Sequence, residues 1–177
     1  MYQSVRQLSG CEVLDPHGQS ICLIKRIILD PSNGRVLGFI TNHPNSQNIL
    51  SIMDVVYWSS DHLKLGQNYE FYQSDEIIRI QQALASKCEL LGKKVKTESE
   101  EQLGQITDYS IDLKKHLLAS ITVQKNFLRM FYFQTLIIHY NSILEITPEY
   151  VIVRDGTVKM PLAQTLRDKS TQRSPAT

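Results

Sequence analysis

Side chains able to bind metals, move protons or attack a substrate are few and dispersed in this chain. It has five histidines, His17, His43, His62, His116 and His139, and no two stand at the spacing of a metal-binding pair. His17 and His116 fall in or beside turn signals and are expected in solvent. His139 falls among aliphatic residues and is expected to be a hydrogen-bonded structural imidazole. Cys11, Cys22 and Cys88 are an odd set with no C-x-x-C spacing. That excludes a disulfide framework or zinc knuckle and suits reduced thiols in a cytoplasmic protein. Asp30 and Asp112 look like a carboxylate pair, but each opens a turn, where an aspartate bonds its own backbone. No G-x-S-x-G, P-loop or G-x-G-x-x-G segment occurs. The sequence therefore reads as a non-enzyme, with no catalytic, cofactor-binding or metal-ligating residue.

Charge narrows the partners. Lys+Arg number 19 and Asp+Glu 18 in 177 residues, for a formal charge of +1. Proteins that live on phosphate contacts carry a concentrated basic surplus. An RNA- or ribosome-associated role would need Lys25, Arg26, Arg35, Lys93, Lys94 and Lys96 to gather on one face. Lys25 and Arg26 are neighbours on a strand-like run and are expected on opposite faces. Met1 to Gly10 lacks the apolar core of a signal peptide. The densest apolar region, Phe127 to Ile143, is broken by Arg129, Gln134, Thr135, His139 and Asn141, so no membrane insertion is expected.

The elements that would carry any site emerge when the chain is slid along itself. At a shift of 82 (92 minus 10) Gly10 falls on Gly92, Val13 on Val95, Ile21 on Leu103, Ile24 on Ile106, Ile27 on Tyr109, Leu29 on Ile111 and Asp30 on Asp112. Later the shift is 88 (143 minus 55), with Val55 on Ile143 and Leu63 and Leu65 on Val151 and Val153. The second copy therefore holds about six extra residues between Thr122 and Leu136. A repeat of this kind dictates the whole architecture.

Each copy reads as strands. Asp15-Pro16-His17-Gly18 and Asp30-Pro31-Ser32-Asn33-Gly34 are turns flanking an Ile- and Leu-rich run, Ser20 to Leu29, and Arg35 to Thr41 returns as a hairpin. Ile21, Ile24, Ile27 and Leu29 should point inward. Steps of three are not the alternation of a flat strand, so a bulge is expected. Between the copies, Ser74 to Ser86 predicts a short helix capped by Ser74, with Ile77, Ile80 and Leu84 on one face. A module of about 80 residues buries too little surface to be robust alone, so the copies are expected to pack together or the chain to dimerise. The polar stretch from Leu166 to Thr177 predicts a disordered tail.

Several segments carry a family resemblance. Leu91-Gly92-Lys93-Lys94-Val95, followed by Leu103-Gly104-Gln105-Ile106-Thr107-Asp108-Tyr109-Ser110-Ile111-Asp112, resembles the PRC-barrel signature of Gly, Val, then a Gly-x-Val-x-Asp strand. Ile138 to Ile143 with Tyr150 to Val153 resembles its close, as does Leu50 to Val55 in the first copy. The likeness covers residues 4–73 and 87–160. Copy one departs from it, with Cys22 where the strand glycine would stand and Arg26 where the aspartate would. The resemblance implies small β-barrels that serve as interaction modules, in photosynthetic, ribosome-maturation and cell-division settings, and it assigns no site residues.

The expectation is an all-β protein: two tandem small PRC-barrel-like β-barrels, residues 1–73 and 87–160, joined by a short helix at 74–86, with a tail at 161–177. Its role would be that of a cytoplasmic adaptor for a protein partner of unknown identity, or for a second copy in a homodimer, with no cofactor. The docking candidates are Phe127, Arg129, Met130, Phe131 and Phe133 in the insertion, because aromatics, Met and Arg are enriched at interfaces. Packing of that insertion on its own barrel, as an extended hairpin, is the competing expectation.

Overall fold

The computed structural model of the protein describes residues 1–44, 47–126 and 133–156. Its first half runs β1 (Tyr2–Ser4), α1 (Val5–Leu8), β2 (Glu12–Leu14), β3 (Ser20–Leu29), β4 (Val36–Thr41), β5 (Ile49–Ser51), a 3-10 turn (Ile52–Asp54), β6 (Val55–Trp58), β7 (His62–Leu65) and β8 (Phe71–Tyr72). After α2 (Ile78–Ala85) come β9 (Lys94–Thr97), β10 (Gln102–Asp112), β11 (Leu117–Asn126), β12 (Phe133–His139), a 3-10 turn (Tyr140–Ser142), β13 (Ile143–Ile146) and β14 (Tyr150–Val153). The protein is mostly β, in curled sheets.

The two halves share one strand order. It is β6-β7-β2-β3-β4-β5 in the first and β13-β14-β9-β10-β11-β12 in the second, with β8 added to β5 and β1 to β10. β2 pairs β7 in parallel, as β9 pairs β14. The 82-residue shift holds down to single hydrogen bonds. The N–H of Gly10 donates to Ile24 O at 2.7 Å and that of Gly92 to Ile106 O at 2.8 Å. The segments starting at Ile21 and Leu103 are both strands, with bulges at matching places, Ile24/Arg26 and Ile106/Asp108.

Burial follows the threefold steps. Ile24 and Ile27 are buried, Ile21 and Leu29 pack against the core, and Leu103, Ile106, Tyr109 and Ile111 are all buried. Ile28, next to Ile27, faces the other side of β3, where Ile28, Ile49 and Ile80 form a small cluster under α2 with Ile77 and Leu84 at its margin. The helix starts later than its sequence suggests, with Ile77 at the N-cap position and no side-chain cap. Ser74 to Glu76 form a turn instead, because the Glu76 carboxylate accepts the Gln73 N–H at 2.5 Å.

The halves pack directly on one another. Val36 N–H donates to His116 O at 2.9 Å, and Leu118 N–H donates to Gly34 O at 2.8 Å. Under the 82-residue shift each bond is the image of the other, since Gly34 matches His116 and Val36 matches Leu118. The equivalent hairpin turns therefore meet across a pseudo-twofold axis. Gly34 adopts a φ of +67°, and a Cβ there would lie 2.6 Å from the Tyr140 ring of the other half. β1 crosses the same boundary to pair with β10, Tyr2 opposite Asp112. One apolar core runs through both halves, from Val13, Phe39 and Leu63 to Ile106, Ile121 and Val151.

Candidate functional site

The residues with chemical potential turn out to be structural or solitary. The Asp30 carboxylate accepts from the Ser32 N–H at 3.0 Å and hydroxyl at 2.6 Å, from Asn33 Nδ2 at 3.0 Å and from Arg79 at 2.9 Å. Burial alone would raise its pKa, but the Ser32 bonds and the Arg79 cation hold it below the ordinary carboxylate range. Asp112 accepts the Lys114 N–H at 3.0 Å and lies 3.7 Å from the Met1 ammonium. Both organise turns. His17 is exposed beside Asp15, as expected. His139 is exposed on β12 rather than held in a hydrogen-bonded network, because Ile138 takes the inward position. His116 departs further: it is half-buried, its ring 5.7 Å from that of Trp58, because the hairpin turns meet there. Burial lowers its pKa, with Asp112 opposing. Cys11, Cys22 and Cys88 are free thiols, and burial pushes the first two up. Among the described residues no group of three His, Cys, Asp or Glu could hold a metal ion.

Two surface features remain. The first is β6, a terminal strand of its sheet with β7 as its hydrogen-bonded neighbour. A bulge between Val55 and Tyr57 turns consecutive side chains outward. Val56 is 67% exposed, Tyr57 55% and Met53, just before the strand, 86%. At the matching positions of copy two (shift 88) stand Leu144, Glu145 and Asn141. The fold thus tolerates polar residues at two of these three places. From Val55 to Ser60 copy one carries no charge, and uncharged edges are where another chain adds a strand.

The second is a groove of about 610 Å³ between the halves. Both halves line it at equivalent positions: Val5 and Lys87, Ser9 and Leu91, Ile27 and Tyr109. The bulge in β3 places Lys25 and Arg26 together on its rim rather than on opposite faces. Arg26 there pairs with Glu89 at 2.9 Å. Two of the other basic residues are occupied elsewhere. Lys93 is buried and donates to the carbonyls of Thr147 at 2.7 Å, Pro148 at 2.8 Å and Lys87 at 3.3 Å. Lys96 pairs with Glu100 at 2.7 Å and lies over the Tyr150 ring.

Of the residues singled out from sequence for docking, Phe127, Arg129, Met130 and Phe131 lie outside the described residues. Phe133 opens β12. The pairing Lys125 with Gln134 and Asn126 with Phe133 continues the β11–β12 hairpin past the point where copy one turns. No helix among the described residues is long and apolar enough to cross a membrane. The β6 patch and the inter-half groove were not legible beforehand. The exposed Val56 and Tyr57 depend on a bulge, and the groove on how the copies meet. Comparison with known proteins finds no matching family model and no significant match to a curated protein.

Proposed function

We propose that the protein is a non-catalytic cytoplasmic adaptor built of two PRC-barrel-like modules joined by α2, and that it binds an extended segment of a partner protein along β6. One observation carries this reading. Val56 and Tyr57 are exposed on a charge-free edge strand with Met53 exposed just before it, whereas the duplicate edge has Asn141 and Glu145 in place of Met53 and Tyr57. An added strand would gain main-chain hydrogen bonds from the edge and apolar contacts from Val56 and Tyr57. The insertion residues Phe127, Arg129, Met130, Phe131 and Phe133 would supply a second contact. A role on RNA or the ribosome draws less support. Arg26 and Lys96 are in ion pairs and Lys93 is buried among carbonyls.

The test captures partners on the full chain, then measures the purified pair. Val56→Lys places a charge at the centre of the edge and is expected to weaken binding about tenfold or more. Amide exchange at Val55–Trp58 should slow in the complex. Leu144→Lys, at the matching position of the other half, should leave affinity unchanged. Affinity indifferent to Val56→Lys, equal loss in both variants, or capture of nothing but a second copy of this chain contradicts the proposal.

A further inference from the structure

We propose that the groove between the two halves binds a free amphipathic carboxylate, with an apolar chain lying along its floor and the charged head at its rim. This claim is independent of the β6 edge. The groove, about 610 Å³, falls within the size range of small-ligand sites of about 300–1,000 Å³. Ile27, Leu29 and Leu84 supply apolar lining, while Lys25, Arg26 and Lys87 stand among its polar residues.

Tyr109 decides the chemistry. It is 5% exposed, lines the groove, and occupies the place that Ile27 holds in the other copy. A core position that an isoleucine fills in the duplicate does not require a hydroxyl. Buried tyrosine hydroxyls ordinarily find a hydrogen-bond partner. Among the described residues this hydroxyl makes no hydrogen bond, and it is not one of the fully enclosed unpartnered atoms, so it keeps access at the groove, with Arg26 and Glu89 close enough to act on it electrostatically. Burial, reinforced by Glu89, raises the phenol pKa, so it stays protonated and can donate. A donor facing a groove whose rim carries Arg6, Lys25, Arg26 and Lys87 against Glu89 suits an anion. Lys25 and Lys87 form no salt bridge within the described residues, so an incoming carboxylate need not displace a partner to reach them. Arg26 would exchange its exposed Glu89 contact for the ligand, a small loss for a solvated pair.

The test titrates the full-length protein with decanoate by calorimetry and by amide chemical shifts. Expected is one saturable site, with shifts at Ile27, Leu84 and Tyr109. Decanol and decyltrimethylammonium should bind at least about tenfold more weakly, because neither meets the rim charge. Tyr109→Phe removes the hydroxyl alone and should weaken decanoate several-fold while leaving decanol unchanged. Lys25→Ser with Lys87→Ser, both at the groove mouth, should do the same and reduce the salt dependence. Binding of decanoate unaffected by Tyr109→Phe, equal binding of the alkylammonium, or no saturation at millimolar decanoate overturns the proposal. So does co-sedimentation with phosphatidylglycerol vesicles in the absence of free-decanoate binding, which would make the groove a lipid-surface contact.

Discussion

His116 reads as a solvated turn residue in one dimension and becomes part of the contact between the halves in three. Its backbone takes a φ of +52°, its carbonyl accepts from Val36, and its ring lies beside Trp58. No local pattern announces this, because the neighbour comes from the other copy. The consequence is a pH dependence with a definite sign. Burial lowers the folded pKa below the ordinary value, with Asp112 opposing, so the unfolded chain binds the proton more readily. The stability tied to neutral His116 is present above about pH 6.5 and is lost as the pH falls through that value toward the lower folded one. Thermal midpoints should therefore fall between about pH 7.5 and 5.5, and the slope should flatten in His116→Asn. Asparagine tolerates the left-handed backbone. Asp30 and Asp112 act on the acid side, since their folded pKa values lie below the ordinary carboxylate range. An unchanged slope in the variant would separate His116 from the acid response.

The strands β3 and β10 show which parts of an element a sequence announces. Their core positions were legible because threefold steps of aliphatic residues recur at a constant offset. The consequences of their bulges were not, because a bulge changes which side chains face together without changing residue order. Lys25 and Arg26 share a rim for that reason, whereas Ile27 and Ile28 keep the ordinary alternation and are buried on opposite sides. The glycine difference between copies has a physical origin in the same strands. Gly104 adopts a φ of +127°, and a Cβ there would stand 2.2 Å from the backbone oxygen of Gln124. Cys22, at the equivalent place, is not among the positive-φ residues. Gly104→Ala should therefore destabilise the protein by about 1–3 kcal/mol, read by denaturant unfolding. A neutral result would show that β10 and β11 can part without loss. The helix α2 illustrates a different limit. Its apolar face was plain from Ile77, Ile80 and Leu84, but its first turn is set by the Glu76 bond to Gln73.

At the scale of the molecule, the duplication was visible as an arithmetic offset, whereas the way the copies join was not. The offset predicts that each half repeats the other, and the shared strand order bears this out. It says nothing about the exchanged bonds at Gly34 and His116, nor about β1 pairing with the opposite half. Those contacts create the groove and make the two cores continuous. The central claim is thus that two small units, each marginal alone, act as one body. Ile106 and Trp58 allow a direct test, since they lie in different halves of that core and Trp58 is the single tryptophan. Unfolding of Ile106→Ala should be followed by Trp58 fluorescence and far-UV circular dichroism together. The predicted result is a loss of about 2–5 kcal/mol, with both signals moving to the same lowered midpoint. A Trp58 transition left at its original midpoint, while part of the dichroism melts early, would contradict it.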